Sequence, residues 1–378
     1  MNLLKHDFIV REPLLVVILV LITVVFSALT HAYSQAYDRR RATLGMEWFE
    51  HGKQELKNNR PASAVEDFRT ALLYDPRKWD YSMNLADALT KSNHTEQAFN
   101  YYLGLWQSRP NNGPVNLQLA RLSAQKGDAP GAERYFNGAI FGDWPEDASA
   151  NRRAASLELI NFYLERGDKG HAESQLMILS DNLPEDPQLH SRVGDLYVRV
   201  GDDQRALNQY RQAVRLNPKY LPAIQGAGEA AFRIGDYHAA QTYLSRFLRL
   251  DESNTSAKNL LAVVQSVFLM NPYERGISGA ERIKRALRAF DVAGNRLQSC
   301  GKTSKSSATA TVEPLIERWK QLKAIANSKF LTAHPEEIDT LLDFSASAEK
   351  LAQSNCGEPT PDDSALLAIA RQREMEER

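Results

Sequence analysis

The sequence holds little of what an enzyme usually displays. It has two cysteines and eight scattered histidines in 378 residues. Neither a His-Glu-x-x-His nor a Cys-x-x-Cys occurs, which removes the common zinc and dithiol patterns. Gly301-Lys302-Thr303 has the ending of a phosphate-binding loop, but that motif needs a glycine where Arg296 stands, and no strand pattern precedes it. No nucleophile, base and orienting group can be assembled. Neither sign of charge is in excess either: 46 Lys and Arg against 47 Asp and Glu leave a net charge of -1. The basic surplus that suits a nucleic-acid partner is therefore lacking. These absences predict a chain with no catalytic residues, no metal, no cofactor and no nucleic-acid partner. What remains is ordinary for a folded protein of two or three domains, with 43% hydrophobic and 25% charged residues.

One stretch is not ordinary. Pro13 to Thr30 (PLLVVILVLITVVFSALT) carries no charge over eighteen residues. As a helix it is about 27 Å long, close to the hydrocarbon thickness of a bilayer. A cleaved signal peptide is the competing reading, although apolar cores of signal peptides usually run to about 7–15 residues. The expectation is a head over 1–12, a single-pass transmembrane anchor over 13–32 and a juxtamembrane linker over 33–44. Lys5 and Arg11 on one side face Arg39, Arg40 and Arg41 on the other, so the positive-inside rule does not choose an orientation. A short head before one anchor more often leaves the bulk of a chain outside the cytoplasm, which for a bacterium means the periplasm.

Beyond the anchor, prolines keep time. Pro76 to Pro110 and Pro184 to Pro218 are each 34 residues apart. Counting back from these positions gives six units: 45–78, 79–112, 113–146, 153–186, 187–220 and 221–254, with residues 147–152 left over as an insertion. Position 15 of the units is Asn59, Asn93, Gly127, Gly167, Gly201 and Gly235, the residue types that enter the left-handed region at a helix end. After the glycines come Asp128, Asp168, Asp202 and Asp236, suited to cap a following helix. Position 20 is alanine throughout: Ala64, Ala98, Ala132, Ala172, Ala206 and Ala240. Position 24 is a ring or a leucine: Phe68, Tyr102, Phe136, Leu176, Tyr210 and Leu244. Each unit thus reads as helix, tight turn, helix, with a small residue that allows close approach and a large one that fills the space beside it. A generic helical bundle has no reason to keep such a period.

This pattern resembles the tetratricopeptide repeat family. The first unit carries Trp48, Gly52, Ala64, Phe68, Ala71 and Pro76, and the fifth Gly194, Tyr197, Ala206, Tyr210, Ala213 and Pro218. Two units depart from it, with Trp144 and Glu252 at the proline position. The resemblance implies an all-α fold, a right-handed superhelical solenoid of about six helix-turn-helix units. It would be preceded by one transmembrane helix and followed by a C-terminal helical region.

Past the repeats, Thr255 to Met270 is apolar enough to cap the last unit. Ala280 to Leu297 reads as an amphipathic helix with Ile283, Leu287, Phe290 and Leu297 on one side. Arg282, Lys284, Arg285 and Arg288 make it basic, a solvated face in the usual case and a contact for anionic lipid or an acidic partner in the sharper one. Residues 255–300 form this capping region, 301–312 a flexible linker by composition, and 313–378 further helices, with Pro314 opening one and Pro335 another. Cys300 and Cys356 suit one disulfide if this part lies outside the cytoplasm, and two packed thiols otherwise.

In proteins of the resembling family, positions 5, 9, 12 and 13 line a concave groove of first helices and meet a bound peptide or protein. Carried onto this chain, the partner-binding candidates are Phe49, Lys53 and Lys57, then Met83, Asp87 and Lys91, then Leu117 and Arg121, Leu157 and Asn161, Asp195 and Arg199, and Glu229 and Arg233. Lys and Asn at positions 5 and 9, which a carboxylate clamp needs, do not recur here, so that mode is not expected. Some of the apolar candidates could instead pack between units. Histidines at repeat positions, His51, His171, His190 and His238, read as packing or surface residues. The expected function is a membrane-tethered scaffold that binds protein or peptide partners in assembly or secretion at a cell envelope. The alternative is a structural or self-associating subunit whose groove is permanently filled.

Overall fold

The computed structural model describes residues 4–303 and 306–376. These residues form eighteen helices and no strand; one isolated bridge joins Asn112 to Asp143. Two compact units divide the chain, Met1–Phe162 and Tyr163–Arg378.

The first unit opens with α1, Leu4–Lys57, a single helix of 54 residues, about 80 Å long at the α-helical rise. Its apolar part is exposed all round from Leu15 to Leu29, and it is long and apolar enough to cross a membrane, a test that a signal sequence also passes. No linker interrupts it. Residues 33–44, expected as a separate juxtamembrane segment, continue the helix, because YSQAYDRRRATL contains neither glycine nor proline to stop it. The head expected over 1–12 is helical from Leu4, and its first three residues lie outside the described ones. The C-terminal turns of α1 serve as the first helix of repeat one.

The rest of the first unit follows as helical pairs: α2 (Pro61–Tyr74), α3 (Trp79–Lys91), α4 (Thr95–Ser108), α5 (Gly113–Gln125) and α6 (Ala129–Phe141). Then α7 (Ala148–Glu165) crosses into the second unit. The extra residues 147–152 do not form a loop. Asp147 turns the chain at φ 41° and α7 starts directly after it, so the insertion lengthens this first helix to 18 residues. Trp144, at the proline position, closes the pair in its own way: its Nε1 donates to the Ala139 carbonyl, 2.8 Å away, while its ring lies on Gly113.

The second unit continues with α8 (Lys169–Ser180), α9 (Pro187–Val200), α10 (Asp203–Leu216), α11 (Leu221–Arg233) and α12 (Tyr237–Leu248). Next comes α13 (Thr255–Met270), followed by α14 (Gly279–Thr303), α15 (Ser306–Leu322), α16 (Ser328–Ala333), α17 (Glu337–Asn355) and α18 (Pro361–Glu376).

The periodic residues do what their chemistry requires. All six position-15 residues have positive φ, from 57° at Asn59 to 99° at Gly201. Asp128, Asp168, Asp202 and Asp236 each accept a backbone N–H three residues on, at 2.8–3.1 Å. All six alanines at position 20 are 0% exposed. Beside them the position-24 side chains are buried as well.

Tyr210 shows how tightly consecutive pairs lock. Its ring sits between Gly194 of its own repeat and Gly226 of the next; a Cβ on either would lie 2.7 or 2.5 Å from it. Gly226→Ala therefore gains about 1 kcal/mol of helix propensity but overpacks the ring at a cost of about 1–3 kcal/mol. We expect a net destabilisation of about 1 kcal/mol, read by urea denaturation, with hydrogen-exchange protection lost first in α10 and α11. An unchanged midpoint would show that the ring can move aside.

The C-terminal helices close the second unit. α18 packs on α13, and also on α14 and α17. Tyr237 of α12 donates its hydroxyl to the buried Ala368 carbonyl at 2.9 Å, and Ser266 donates to Asp362. Cys300, at the end of α14, is disulfide-bonded to Cys356, at the end of α17, with Cα atoms 5.0 Å apart. Two details differ from the sequence reading. α14 runs on to Thr303 and α15 begins at Ser306, so residues 301–312, expected as a flexible linker, are helical apart from 304–305, which lie outside the described residues. Pro314 consequently lies inside α15, not at its start. The alanine- and threonine-rich SSATATV has no helix breaker, which is why the helix begins so early.

Candidate functional site

The candidate residues lie on the first helices of the repeats in both compact units. In the first unit Phe49 is half-buried, with ring centroids 5.7 Å from Phe68 and 4.7 Å from Tyr81. Lys53 lies 5.3 Å over the Phe49 ring and pairs with Glu50 at 2.9 Å. Lys57 and Lys91 end their helices exposed and hold no ion pair among the described residues. Met83 is half-buried. Leu117 and Leu157 are only 8% and 6% exposed, so these two belong to the packing between helices and offer little to a partner. That corrects their assignment as groove surface: each falls on the buried edge of its helix, where a leucine gains more from neighbours than from water.

The polar candidates are tied into a network. Asp87 accepts the Tyr102 hydroxyl. Burial holds the Asp87 carboxyl above the usual carboxylate range, against the pull of that hydrogen bond. Burial, then the nearby Asp87, pushes the Tyr102 phenol far up, so it stays a neutral donor. Arg121 makes a two-pronged bond to Glu158 of α7, Nε at 2.8 Å and Nη2 at 2.6 Å, and this carboxylate keeps the guanidinium charged. Asn161 donates to the Leu157 carbonyl at 2.9 Å.

The second unit repeats the theme. Asp195 is exposed and accepts the Tyr210 hydroxyl at 2.7 Å. Arg199 is exposed at the end of α9. Glu229 accepts from Gln225 at 2.8 Å, and Arg233 donates to Asp203 at 2.6 Å. Two of the three acidic residues at position 9 thus rest on a tyrosine at position 24 of the same repeat. Glu229 has Leu244 there and turns to Gln225 instead.

Sequence reasoning missed Glu158 and Asp203, the carboxylates that neutralise Arg121 and Arg233. Nothing periodic marks them, since each comes from a neighbouring helix. The aspartate–tyrosine pairs have a signal that could have found them, because Asp87 with Tyr102 and Asp195 with Tyr210 share the same spacing of 15 residues. Chemically, this arrangement offers mixed charge and aromatic edge on successive helices. Among the described residues no group of three His, Cys, Asp or Glu is placed to hold a metal.

Models of the tetratricopeptide repeat match residues 49–112, 226–265 and 187–220. No curated protein matches the chain. Among solved structures, the C-terminal part of a repeat-containing protein from Cytophaga hutchinsonii is similar at 13% identity and a TM-score of 0.45, over 63% of this chain and 92% of that one. PilF of Pseudomonas aeruginosa is 16% identical with a TM-score of 0.40, over 59% and 98%. Yeast Tom70 is 17% identical with a TM-score of 0.36, over 79% and 58%.

Proposed function

Since the chain carries tetratricopeptide repeats, we propose that it is a membrane-tethered scaffold, without catalysis of its own, that binds a protein or peptide segment along its first helices in the assembly or secretion of an envelope complex. The observation that carries this reading is the exposure of charged side chains at the ends of successive first helices. Lys57 and Lys91 in the first unit, and Arg199 in the second, are exposed, whereas Leu117 and Leu157 are buried. Polar residues left outward at repeated positions suit a partner with its own charges. α1 is the anchor in this reading, and the disulfide between Cys300 and Cys356 supports an extracytoplasmic, periplasmic placement of the bulk of the chain, because such bonds persist in oxidising compartments.

A groove permanently filled by the chain's own tail is the competing arrangement. The tail's hydrogen bonds instead run to α12 and α13, and Asp195 and Arg199 stay exposed, which favours an open face.

The test is photo-crosslinking in the native host from a probe at Lys91, with Tyr101, exposed on a second helix, as the control. We expect a discrete foreign protein from Lys91 and none from Tyr101. For the captured partner, Lys57→Glu with Lys91→Glu should weaken binding about tenfold, equivalent to about 1.4 kcal/mol, in a calorimetric titration. Capture of only the chain's own tail or own copies would sink the adaptor reading and leave a structural subunit.

A further inference from the structure

The continuity of α1 fixes which edge of the first compact unit looks at the membrane. The chain leaves the apolar stretch near Ala32 and is first buried against a repeat at Gly45, whose backbone lies on Tyr74 and Tyr81. That is 13 residues of uninterrupted helix, about 20 Å. Because antiparallel pairs place alternate connections at one end, the loops that follow α2, α4 and α6 share the membrane-side edge. Contacts along that edge agree. Arg41 donates to the Leu73 carbonyl at 3.2 Å, Arg109 lies 5.0 Å over Trp79, and Gly113 donates to the Asp143 carbonyl at 2.9 Å.

We propose that the part of this edge beside α1 is an electrostatic contact for an anionic bilayer surface, made by Arg39, Arg40, Arg77, Lys78 and Arg109. This rests on the anchoring proposed above. The first four are exposed and hold no ion pair among the described residues, a state shared in this unit by Lys57 and Lys91 at the opposite ends of their helices, whereas Arg60, Arg121 and Lys126 are paired with carboxylates. Asp38, Asp75 and Asp80 are interspersed with them, and the loop after α6, with Asp143, Glu146 and Asp147, is acidic. The basic surplus is thus confined to the side nearest α1. Leu73, 76% exposed, lies at the same edge.

The distances fit. A polar headgroup layer adds about 5–8 Å beyond the hydrocarbon. Arg39 and Arg40, seven and eight residues past Ala32, stand about 11 Å above the hydrocarbon, a few ångströms beyond that layer and within reach of it by an extended side chain. Arg77 and Lys78 lie level with Arg41–Gly45, about 14–20 Å up. The gap left is about one extended side chain and one Debye length, about 8 Å at physiological salt. Such a contact would restrain the tilt of the rod and hold the repeat at a set angle to the surface.

The test uses the full chain reconstituted in vesicles of phosphatidylcholine alone or mixed with phosphatidylglycerol. A fluorophore is attached at Asn111→Cys on this edge, or at Lys91→Cys on the opposite one, and quenched by headgroup-labelled lipid. The expected result is quenching at the edge at least threefold greater in the anionic vesicles, lost at raised salt and in the Arg39→Glu, Arg40→Glu, Arg77→Glu, Lys78→Glu variant, with no change at the opposite probe. Equal quenching in both vesicles, or anionic quenching indifferent to salt, overturns the proposal while leaving the anchor intact. Release of the chain from vesicles by an alkaline wash overturns the anchor, and the edge contact with it.

Discussion

Reduction of the Cys300–Cys356 disulfide loosens the C-terminal helices and leaves the repeats of the second unit folded. The bond joins the ends of α14 and α17 across a sequence separation of 56. Closing a loop of that size limits the unfolded chain and contributes roughly 2–4 kcal/mol. Cys300 is 2% exposed, packed at the end of the helix whose Ala286, Ala289, Phe290 and Leu297 are buried. Arg296 donates to the Gly357 carbonyl at 2.7 Å, one residue past Cys356, so the folded geometry around the bond is held without it. The loss should therefore appear as a shift in the equilibrium, not as a new fold. With dithiothreitol, or in Cys300→Ser with Cys356→Ser, hydrogen exchange should quicken in α17 and α18 and in the face of α13 that α18 covers. Protection in α9 and α10 should stay. Uniform loss of protection across residues 187–376 would mean that tail and repeats unfold as one. No change at all would mean that apolar packing on α14 and α13 suffices alone.

The repeats are legible in the sequence because each of their devices is local. A left-handed residue, a capping aspartate and a buried alanine recur every 34 residues, and each acts within its own hairpin. The tail is less legible because its partners are far away in sequence. Nothing in the spacing says that α18 will cover α13, or that the Tyr237 hydroxyl will find Ala368, 131 residues on. The continuity of α1 is hidden for a different reason: 33–44 lies between two conspicuous features, and a plain polar helix has no signal beyond lacking breakers. At the candidate site, positions can be numbered from the family pattern, but engagement cannot. Arg121 and Arg233 read as free groove cations until Glu158 and Asp203 are placed beside them.

Glu349 makes the same tail sensitive to pH. It lies on α17, 0% exposed, with neither carboxylate oxygen hydrogen-bonded. Burial, then the neighbouring Asp363, pushes its carboxyl up to about 7, and Arg296 opposes the shift. Arg296 itself leans toward Asp363, 3.6 Å away. In the unfolded chain Glu349 titrates near 4.5. Between pH 4.5 and about 7 the unfolded chain has therefore lost this proton while the folded one keeps it. Stability is complete below that window, falls as pH rises through it, and is lowest above about 7. At about 1.4 kcal/mol per pH unit the window is worth up to about 3 kcal/mol, and nearer 2 once screening is allowed for. Glu349→Gln removes the titration and keeps the shape. Above pH 7 the variant's tail should be more stable than wild type by about 2 kcal/mol, and below pH 4.5 the two should coincide. Urea denaturation across this range, followed by hydrogen exchange in α17 and α18, measures the difference. A variant less stable than wild type above pH 4.5, with the two coinciding in acid, would reverse the sign and mean that Arg296 holds Glu349 ionised. A gap that stays constant with pH would mean that the carboxyl titrates alike in the folded and the unfolded chain.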